Sequence, residues 1–322
     1  MESLYLTIVN ERYALRALVL YKSLLPYLGN KRFVVYCVDD GAVRVLENMR
    51  EKSLLVVAPD DFEDADLLSL KNERPINAYC WMCKPVILEH ALARFPDAEW
   101  AVYLDSDMMA FADPDEGLPS ESDANVVLTP HRPSDDYFSD FIPTVGHYNA
   151  GYVAFRNTEI GRSALHWWRD RCVEYCPGAP VDGVYADQKY LDDVAVNFSG
   201  VHASGHAGLN AGPWNILGYR ISMRDNKVFV NDDALLLYHM QAFHIFGRHL
   251  FDAYKGSVRM PSSVRRCIYR PYQNLIANSW KTLTDANAGF RQDADSSLWR
   301  MTTLFSELKK LIRGISNLSV RF

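Results

Sequence analysis

Three short runs of nearly unbroken apolar residues, Leu4–Val9, Phe33–Val38 and Trp100–Leu104, limit what this chain can fold into more than any other feature. A strand with one wet face alternates apolar and polar residues. A strand covered on both faces does not, and such coverage is the mark of a parallel sheet lying between helices. The first run closes on Asn10 and leads into helical spacing from Tyr13 to Leu28 (Leu15, Leu18, Val19, Leu25), ended by Pro26 and Gly29. The second closes on Asp39-Asp40-Gly41, and a helix over 42–52 and a strand over 53–57 are expected after it. Further along, the pattern predicts helices over 85–94 and 158–176, and strands over 124–128, 152–155, 227–230 and 234–238. Alternation of this kind predicts an α/β fold, a mainly parallel sheet flanked by helices.

The 322 residues are 48% hydrophobic and 23% charged, which excludes collagen-like and wholly disordered classes. No apolar run approaches the roughly 18 residues that a spanning helix needs, and Met1–Leu6 lacks the basic lead of a signal peptide. A cytoplasmic protein is expected. Of six cysteines, Cys80/Cys83 and Cys172/Cys176 form close pairs that could supply a four-thiolate zinc site, but their Trp- and Tyr-rich surroundings favour buried reduced thiols. Charge is uneven. From Lys255 to Phe322, twelve Lys and Arg face four Asp and Glu, leaving −14 on the rest of a chain whose net charge is −6. No nucleic-acid signature accompanies the basic tail, so a membrane surface is the better anionic partner. One catalytic-size domain, 1–258, with a basic, mainly helical C-terminal extension, 259–322, fits this division.

The chemistry is concentrated just past the third apolar run, at Asp105-Ser106-Asp107. Ligands of open α/β sheets bind outside the carboxyl ends of the strands, and two carboxylates one residue apart in an extended turn can point at one hard divalent cation. The alternative is a turn with two solvated aspartates. A hydrolase of the haloacid dehalogenase type also uses D-x-D, but on its first strand, whereas this one lies a third of the way along and runs into Met108-Met109.

The run Tyr103–Phe111 resembles the D-x-D strand end of GT-A-fold, nucleotide-sugar-dependent glycosyltransferases. His147-Tyr148-Asn149-Ala150-Gly151-Tyr152 resembles the Asn-x-Gly element of glycosyltransferase family 8, Asp187-Gln188 its D-Q element, and Leu237-Tyr238-His239 the late strand whose His completes the metal site. A closer likeness is to bacterial sugar transferases of surface-polysaccharide loci, including lipopolysaccharide. They share Tyr79-Cys80-Trp81 with Lys84-Pro85, Leu128–Arg132, Asp187–Asp193, and Ala207-Gly208-Leu209 with Pro213-Trp214-Asn215. The resemblance spans Leu4 to Phe246 and implies a GT-A, Rossmann-like sheet with a helical C-terminal appendage.

The resemblance also implies residue roles. Asp105, Asp107 and His239 would hold Mn²⁺ or Mg²⁺, His239 being otherwise a buried strand histidine. Thr7, Asn10 and Tyr13 could seat base and ribose, unless Asn10 is only a helix cap. Ser106, Asn149 and Gly151 would meet the donor, Gly151 by letting a ligand approach the backbone, or they form a plain turn. Family 8 carries a Lys after the late His that contacts the diphosphate. This chain has none there, so Lys84, His206, His244 or Arg248 must serve. Trp214 is placed to stack on a sugar or to pack in the core, and Trp167-Trp168 reads as core. Asp187 is the carboxylate nearest the reacting carbon. It is a general base if transfer inverts; if transfer retains, it or Gln188 steadies the oxocarbenium-like centre; otherwise it caps a helix over 188–193.

In the tail, Leu304, Phe305, Leu308, Leu311, Ile312, Ile315 and Leu318 follow helical spacing, with Lys309, Lys310 and Arg313 off the stripe. Either this helix over 304–318 touches the inner face of a membrane, or it packs on protein. The expected function is metal-dependent transfer of a sugar from a nucleoside-diphosphate sugar to a glycan or glycolipid acceptor. The rivals are a nucleotidyltransferase, for which Asn10–Tyr13 lacks the glycines, and a non-catalytic sugar-nucleotide or glycan binding subunit of a polysaccharide assembly complex.

Overall fold

The computed structural model describes residues 3–49, 51, 53–120, 123–287, 290, 301–314 and 316–320. Its first eight strands are β1 (Ser3–Val9), β2 (Arg32–Cys37), β3 (Leu54–Val57), β4 (Trp100–Leu104), β5 (Met108–Ala110), β6 (Val126–Pro130), β7 (Tyr148–Arg156) and β8 (Val201–Ala203). Seven of them form one sheet in the order β3-β2-β1-β4-β7-β6-β8. The β1–β2, β1–β4, β2–β3 and β6–β8 pairs are parallel, and β7 runs antiparallel to both neighbours.

The apolar runs have the cause expected of them. In β1, Leu4, Leu6 and Ile8 enter one core while Tyr5 and Val9 enter the other, and β2 divides its residues the same way. Helices α1 (Ala14–Leu28) and α2 (Asp40–Glu47) cover the Tyr5 and Val9 face, leaving the Leu4, Leu6 and Ile8 face as the second; Asp39 caps α2 by accepting from Ala42 N–H at 2.8 Å. After the short α3 (Ala65–Glu73), α4 (Ile76–Arg94) covers the second face. The insert between β6 and β7 carries α5 (Asp136–Ser139) and α6 (Ile142–Val145), and α7 (Glu159–Glu174) and α8 (Tyr190–Asn197) follow. Trp168 is fully buried on α7 and stacks on Phe155 at 5.7 Å.

Several boundaries differ from expectation. Helix α4 begins at Ile76, not 85, and runs through Pro85. The lost hydrogen bond and ring clash cost about 3 kcal/mol, but Tyr79, Met82, Cys83 and Lys84 are all buried on that turn, and this packing wins. The strand expected over 234–238 is two elements. Asp233–Ala234 joins Lys227–Val230 and Ile221–Arg224 in a small antiparallel sheet, whereas Leu237–His239 pairs with β5. The break falls where Leu236 N–H turns away to Gly208 C=O (2.9 Å).

The helix Arg270–Ala286 lies against α1, contributing Tyr272, Ile276 and Leu283 to the same core, with Lys22 Nζ donating to Thr282 Oγ1 at 3.0 Å. The last helix ends at Ile312 and does not reach 318: Gly314 turns the chain at φ +69°, and Leu318–Val320 is a strand antiparallel to Leu250–Asp252. Ile315 and the side chains of Leu304, Phe305 and Ile312 lie outside the described residues. Lys310, which falls off the apolar stripe, is nevertheless buried. Among the described residues no helix is long and apolar enough to cross a membrane.

Candidate active site

Past Leu104 the chain turns so that both aspartates leave the carboxyl edge of the sheet. Asp105 N–H donates to Gly151 C=O (2.8 Å) and Met108 N–H to Asp105 C=O (3.0 Å). Strand β5 then pairs Met108 with His239, and Met240 N–H donates to Asp107 C=O (2.8 Å). That register delivers an imidazole to the aspartates: His239 Nε2 lies 3.1 Å from Asp107 Oδ1 and 3.8 Å from Asp105 Oδ2. The ligand atoms of the three residues fall within 4.8 Å of one another. Among the described residues no other cluster of His, Cys, Asp and Glu is compact enough to hold a metal, and all six cysteines are free thiols.

Two carboxylates and an imidazole make a donor set suited to Mn²⁺ and acceptable to Mg²⁺. Burial alone would keep His239 neutral, but the Asp107 and Asp105 charges overcome it and raise its pKa. Burial likewise pushes the Asp107 carboxyl up, and the His239 charge outweighs it and holds it below the ordinary carboxylate value. The pocket between them calls for positive charge, which is the observation that a cation fits.

The Asn-x-Gly element is a bulge. Strands β6 and β7 pair regularly to Leu128↔Val153, and then Thr129 faces Asn149, leaving Ala150, Gly151 and Tyr152 as extra residues. Bulges re-aim side chains next to sites. Here Asn149 Nδ2 donates to Gln188 Oε1 (3.1 Å), and its Oδ1 accepts from Gly151 N–H (2.9 Å) and Asn210 Nδ2 (2.9 Å). A Cβ at Gly151 would meet His239 Nδ1 at 2.5 Å and Asn149 Oδ1 at 2.7 Å. The close approach at 151 is therefore made by the histidine ring. Gly151→Ala is expected to push the imidazole off the aspartates and weaken Mn²⁺ binding on the order of 10- to 100-fold, read by the electron paramagnetic signal of free Mn²⁺. Unchanged affinity would remove His239 from the ligand set.

Lys84, buried in α4, places its ammonium 3.0 Å from Asp105 Oδ1, 3.3 Å from Asp187 Oδ2 and 3.2 Å from Ala150 C=O, over the Tyr103 ring at 4.9 Å. Burial works against its charge, but Asp105 and Asp187 prevail and raise its pKa. Burial pushes the Asp187 carboxyl up to about 6, with Lys84 pulling against that rise. Asp187 caps nothing: α8 starts at Tyr190, and its flanking residue, Lys189, makes no side-chain cap bond. Gln188 is pinned, its Nε2 donating to Val145 C=O (2.8 Å) and its Oε1 accepting from Asn149 and Ala150 N–H (3.1 Å each).

These groups surround a cavity of about 550 Å³. Of the residues singled out from the sequence, Asn10, Tyr13, Lys84, Ser106, Asn149, Asp187 and Gln188 line it with Asp105, Asp107 and His239. Asn10 also caps the turn Glu11–Tyr13, its Oδ1 accepting from Tyr13 N–H at 3.2 Å. Thr7 is buried within β1, and Gly151 stands behind His239. His206 belongs to a turn, its Nδ1 accepting from Gly208 N–H (3.1 Å); His244 lies on the strand His244–Gly247; Arg248 Nε donates to Ala277 C=O (3.3 Å). None of these five lines the cavity, and Trp214 lines a neighbouring one. Arg12, Trp81, Tyr185 and Gln241 also line the first cavity. Trp81 was visible as part of the motif with Lys84, and Arg12 sits between Asn10 and Tyr13; Tyr185 and Gln241 lie in irregular segments that carry no periodic signal.

No protein-family profile matches the chain. It is 31% identical over 302 residues to the uncharacterized protein YfnF of Bacillus subtilis, covering 92% of this chain and 100% of YfnF. Over 292 residues it is 29% identical to YfnD of the same organism, covering 90% and 92%. Among solved structures it is similar to LgtC, a galactosyltransferase crystallised with donor and acceptor sugar analogues (TM-score 0.51, 16% identity, 86% of this chain and 96% of that one). An active-site mutant of LgtC superposes with a TM-score of 0.50 at 15% identity, over 88% and 100% of the two chains. With its mixed sheet and flanking helices, the chain has the GT-A fold of those enzymes and belongs to the family of Bacillus subtilis YfnF.

Proposed function

We propose that this chain is a metal-dependent glycosyltransferase, moving a hexosyl unit from a nucleoside-diphosphate sugar to a surface glycan or lipid-linked glycan. The observation that carries the reading is the joining of two assemblies in one cavity: the Asp105–Asp107–His239 group and the Lys84–Asp187 pair. Asp105, Asp107 and His239 would hold Mn²⁺ or Mg²⁺, which would supply Lewis-acid neutralisation of a departing diphosphate. The remaining work falls to the chain's own groups. Asn10 and Tyr13, at the carboxyl end of β1, face the base and ribose. Arg12 is the wall's second cation and stands in for the missing family lysine. Asp187, its carboxyl pushed up to about 6 by burial, is near the value at which a general base works best at neutral pH. In an inverting transfer it takes the acceptor proton; in a retaining one it faces the positive centre. A lipid-linked acceptor would bring the chain to the inner face of a membrane, where the exposed Leu308 and Leu311, beside Lys309 and Arg313, are the face offered.

The test is calorimetric titration of a panel of sugar nucleotides, with Mn²⁺ and with EDTA, against wild type and Asp107→Ala. One donor is expected to bind only with metal, and its affinity is expected to fall on the order of 100-fold in the variant, about 2.8 kcal/mol. Binding indifferent to both metal and Asp107, or binding of no donor, would overturn the reading. Donor binding without turnover in any acceptor extract would favour the non-catalytic subunit.

A further inference from the structure

A second cavity, of about 300 Å³, adjoins the first and shares Asn149, Tyr185, Gln188 and Gln241 with it. The two differ in chemistry. The first is lined by Arg12, Lys84, Asp105, Asp107 and Asp187. Among the described residues the second has no Asp, Glu, Lys or Arg on its wall. Its outer wall is aromatic: Tyr137 meets Phe138 and Phe141 edge to face, with ring centroids 5.0 and 5.6 Å apart. Tyr137 and Phe141 leave 44% and 48% of their surface in water, although large aromatic side chains gain most by being covered. Its inner wall is Trp214 and His131, crossed at 5.7 Å.

His131 is 94% buried in that wall, its Nε2 lying 3.4 Å from Asn149 Nδ2. Burial pushes its pKa down to about 4, so it meets a ligand as a neutral imidazole. A phosphate or carboxylate entering here would lose its water and find no cation, a large cost for an ion. A sugar ring offers what the walls can use: a C–H face for the aromatics and hydroxyls for the side chain of Gln241, which is exposed on the shared boundary. Entering from this side, its reacting hydroxyl would arrive at the shared boundary, beside Asn149, Gln188 and the neighbouring Asp187.

We propose that this second cavity seats the acceptor, and that the unit it accepts is an uncharged hexopyranoside held by its apolar face against Tyr137, Phe141 and Trp214. The proposal rests on the glycosyltransferase reading and narrows it. Any phosphate of a lipid carrier lies beyond this unit, outside the cavity.

The test uses the full-length protein with Mn²⁺ and whichever sugar nucleotide the calorimetry selects. The acceptors are p-nitrophenyl hexosides, the matching glucuronides and the hexoside 6-phosphates. A neutral hexoside is expected to raise donor turnover above the rate with water alone, and the anionic analogue of the same sugar is expected to be used at least tenfold less efficiently. Tyr137→Ala and Phe141→Ala, both at half-exposed positions, are expected to raise acceptor KM at least fivefold more than donor KM. Equal use of the anionic analogues, no acceleration by any neutral hexoside, or equal shifts of both KM values would each overturn the proposal. Loss of metal-dependent donor binding in wild type would instead remove the transferase reading on which it stands.

Discussion

Lys84→Met is expected to lower kcat at pH 7 on the order of 10²- to 10⁴-fold, the span attributed to a positioned acid–base group, and to move the acid limb of the pH profile upward. The sign follows from the forces on Asp187. Burial raises its carboxyl and the Lys84 ammonium opposes that rise, with a net position of about 6. The wild-type carboxylate is therefore mostly ionised at pH 7, and activity should fall as pH drops through about 6. Without the ammonium, burial and the Asp105 charge outweigh the one remaining backbone hydrogen bond and the carboxyl holds its proton at higher pH, so part of the lost activity should return on the alkaline side. Lys84→Arg, which keeps the charge, should keep the limb near its wild-type position. A merely structural lysine would scale the whole profile without moving it. Rates measured from pH 5 to 9 separate the cases, and a stationary limb in the Met variant would take Asp187 out of the proton's path. Folding suffers as well, because breaking a buried ion pair costs about 3–5 kcal/mol.

The inner strands were legible because their two-sided burial leaves a local signature: every residue of β1 and β4 is apolar or small, and every one is buried. The D-x-D was legible for the related reason that it follows such a run. Its third partner was not legible from pattern alone. His239 reaches Asp107 through pairing of Leu237–His239 with β5, more than a hundred residues away, and no local period encodes that register. The Asn149–Tyr152 bulge was hidden too, since its extra residues appear only against Thr129 on the neighbouring strand. Pro85 misled in the opposite direction, reading as a helix start although the packing of Tyr79 and Met82 carries the helix through it. The tail misled most. Its apolar spacing marks a helix as far as Ile312, but Leu318 falls in step with that period by chance and belongs to a strand.

That strand makes Lys310→Met the second large effect. Lys310 Nζ lies 2.7 Å from Asp252 Oδ2 and 2.8 Å from Glu307 Oε1, and both carboxylates are buried. Burial lowers the ammonium's pKa, but the two partners raise it by more. Remove it, and Asp252, whose carboxyl burial already raises, is left with a second buried carboxylate and no cation. The expected cost is about 3–5 kcal/mol, read as a lower urea midpoint at unchanged slope. The same substitution at a solvent- or lipid-facing lysine would stay within about 0.5 kcal/mol. Removing the charges together, as Lys310→Met with Asp252→Asn and Glu307→Gln, should recover much of the loss. The consequence extends to the site. Asp252 Oδ1 accepts from Tyr254 N–H (3.2 Å), Asn317 Nδ2 donates to Tyr254 C=O (3.1 Å), and Tyr254 lines the second cavity. The C-terminal segment thus braces one residue of the wall that the acceptor would meet, and Lys310→Met should raise acceptor KM even where the protein stays folded. An unchanged urea midpoint would return this lysine to the surface and leave the tail an appendage.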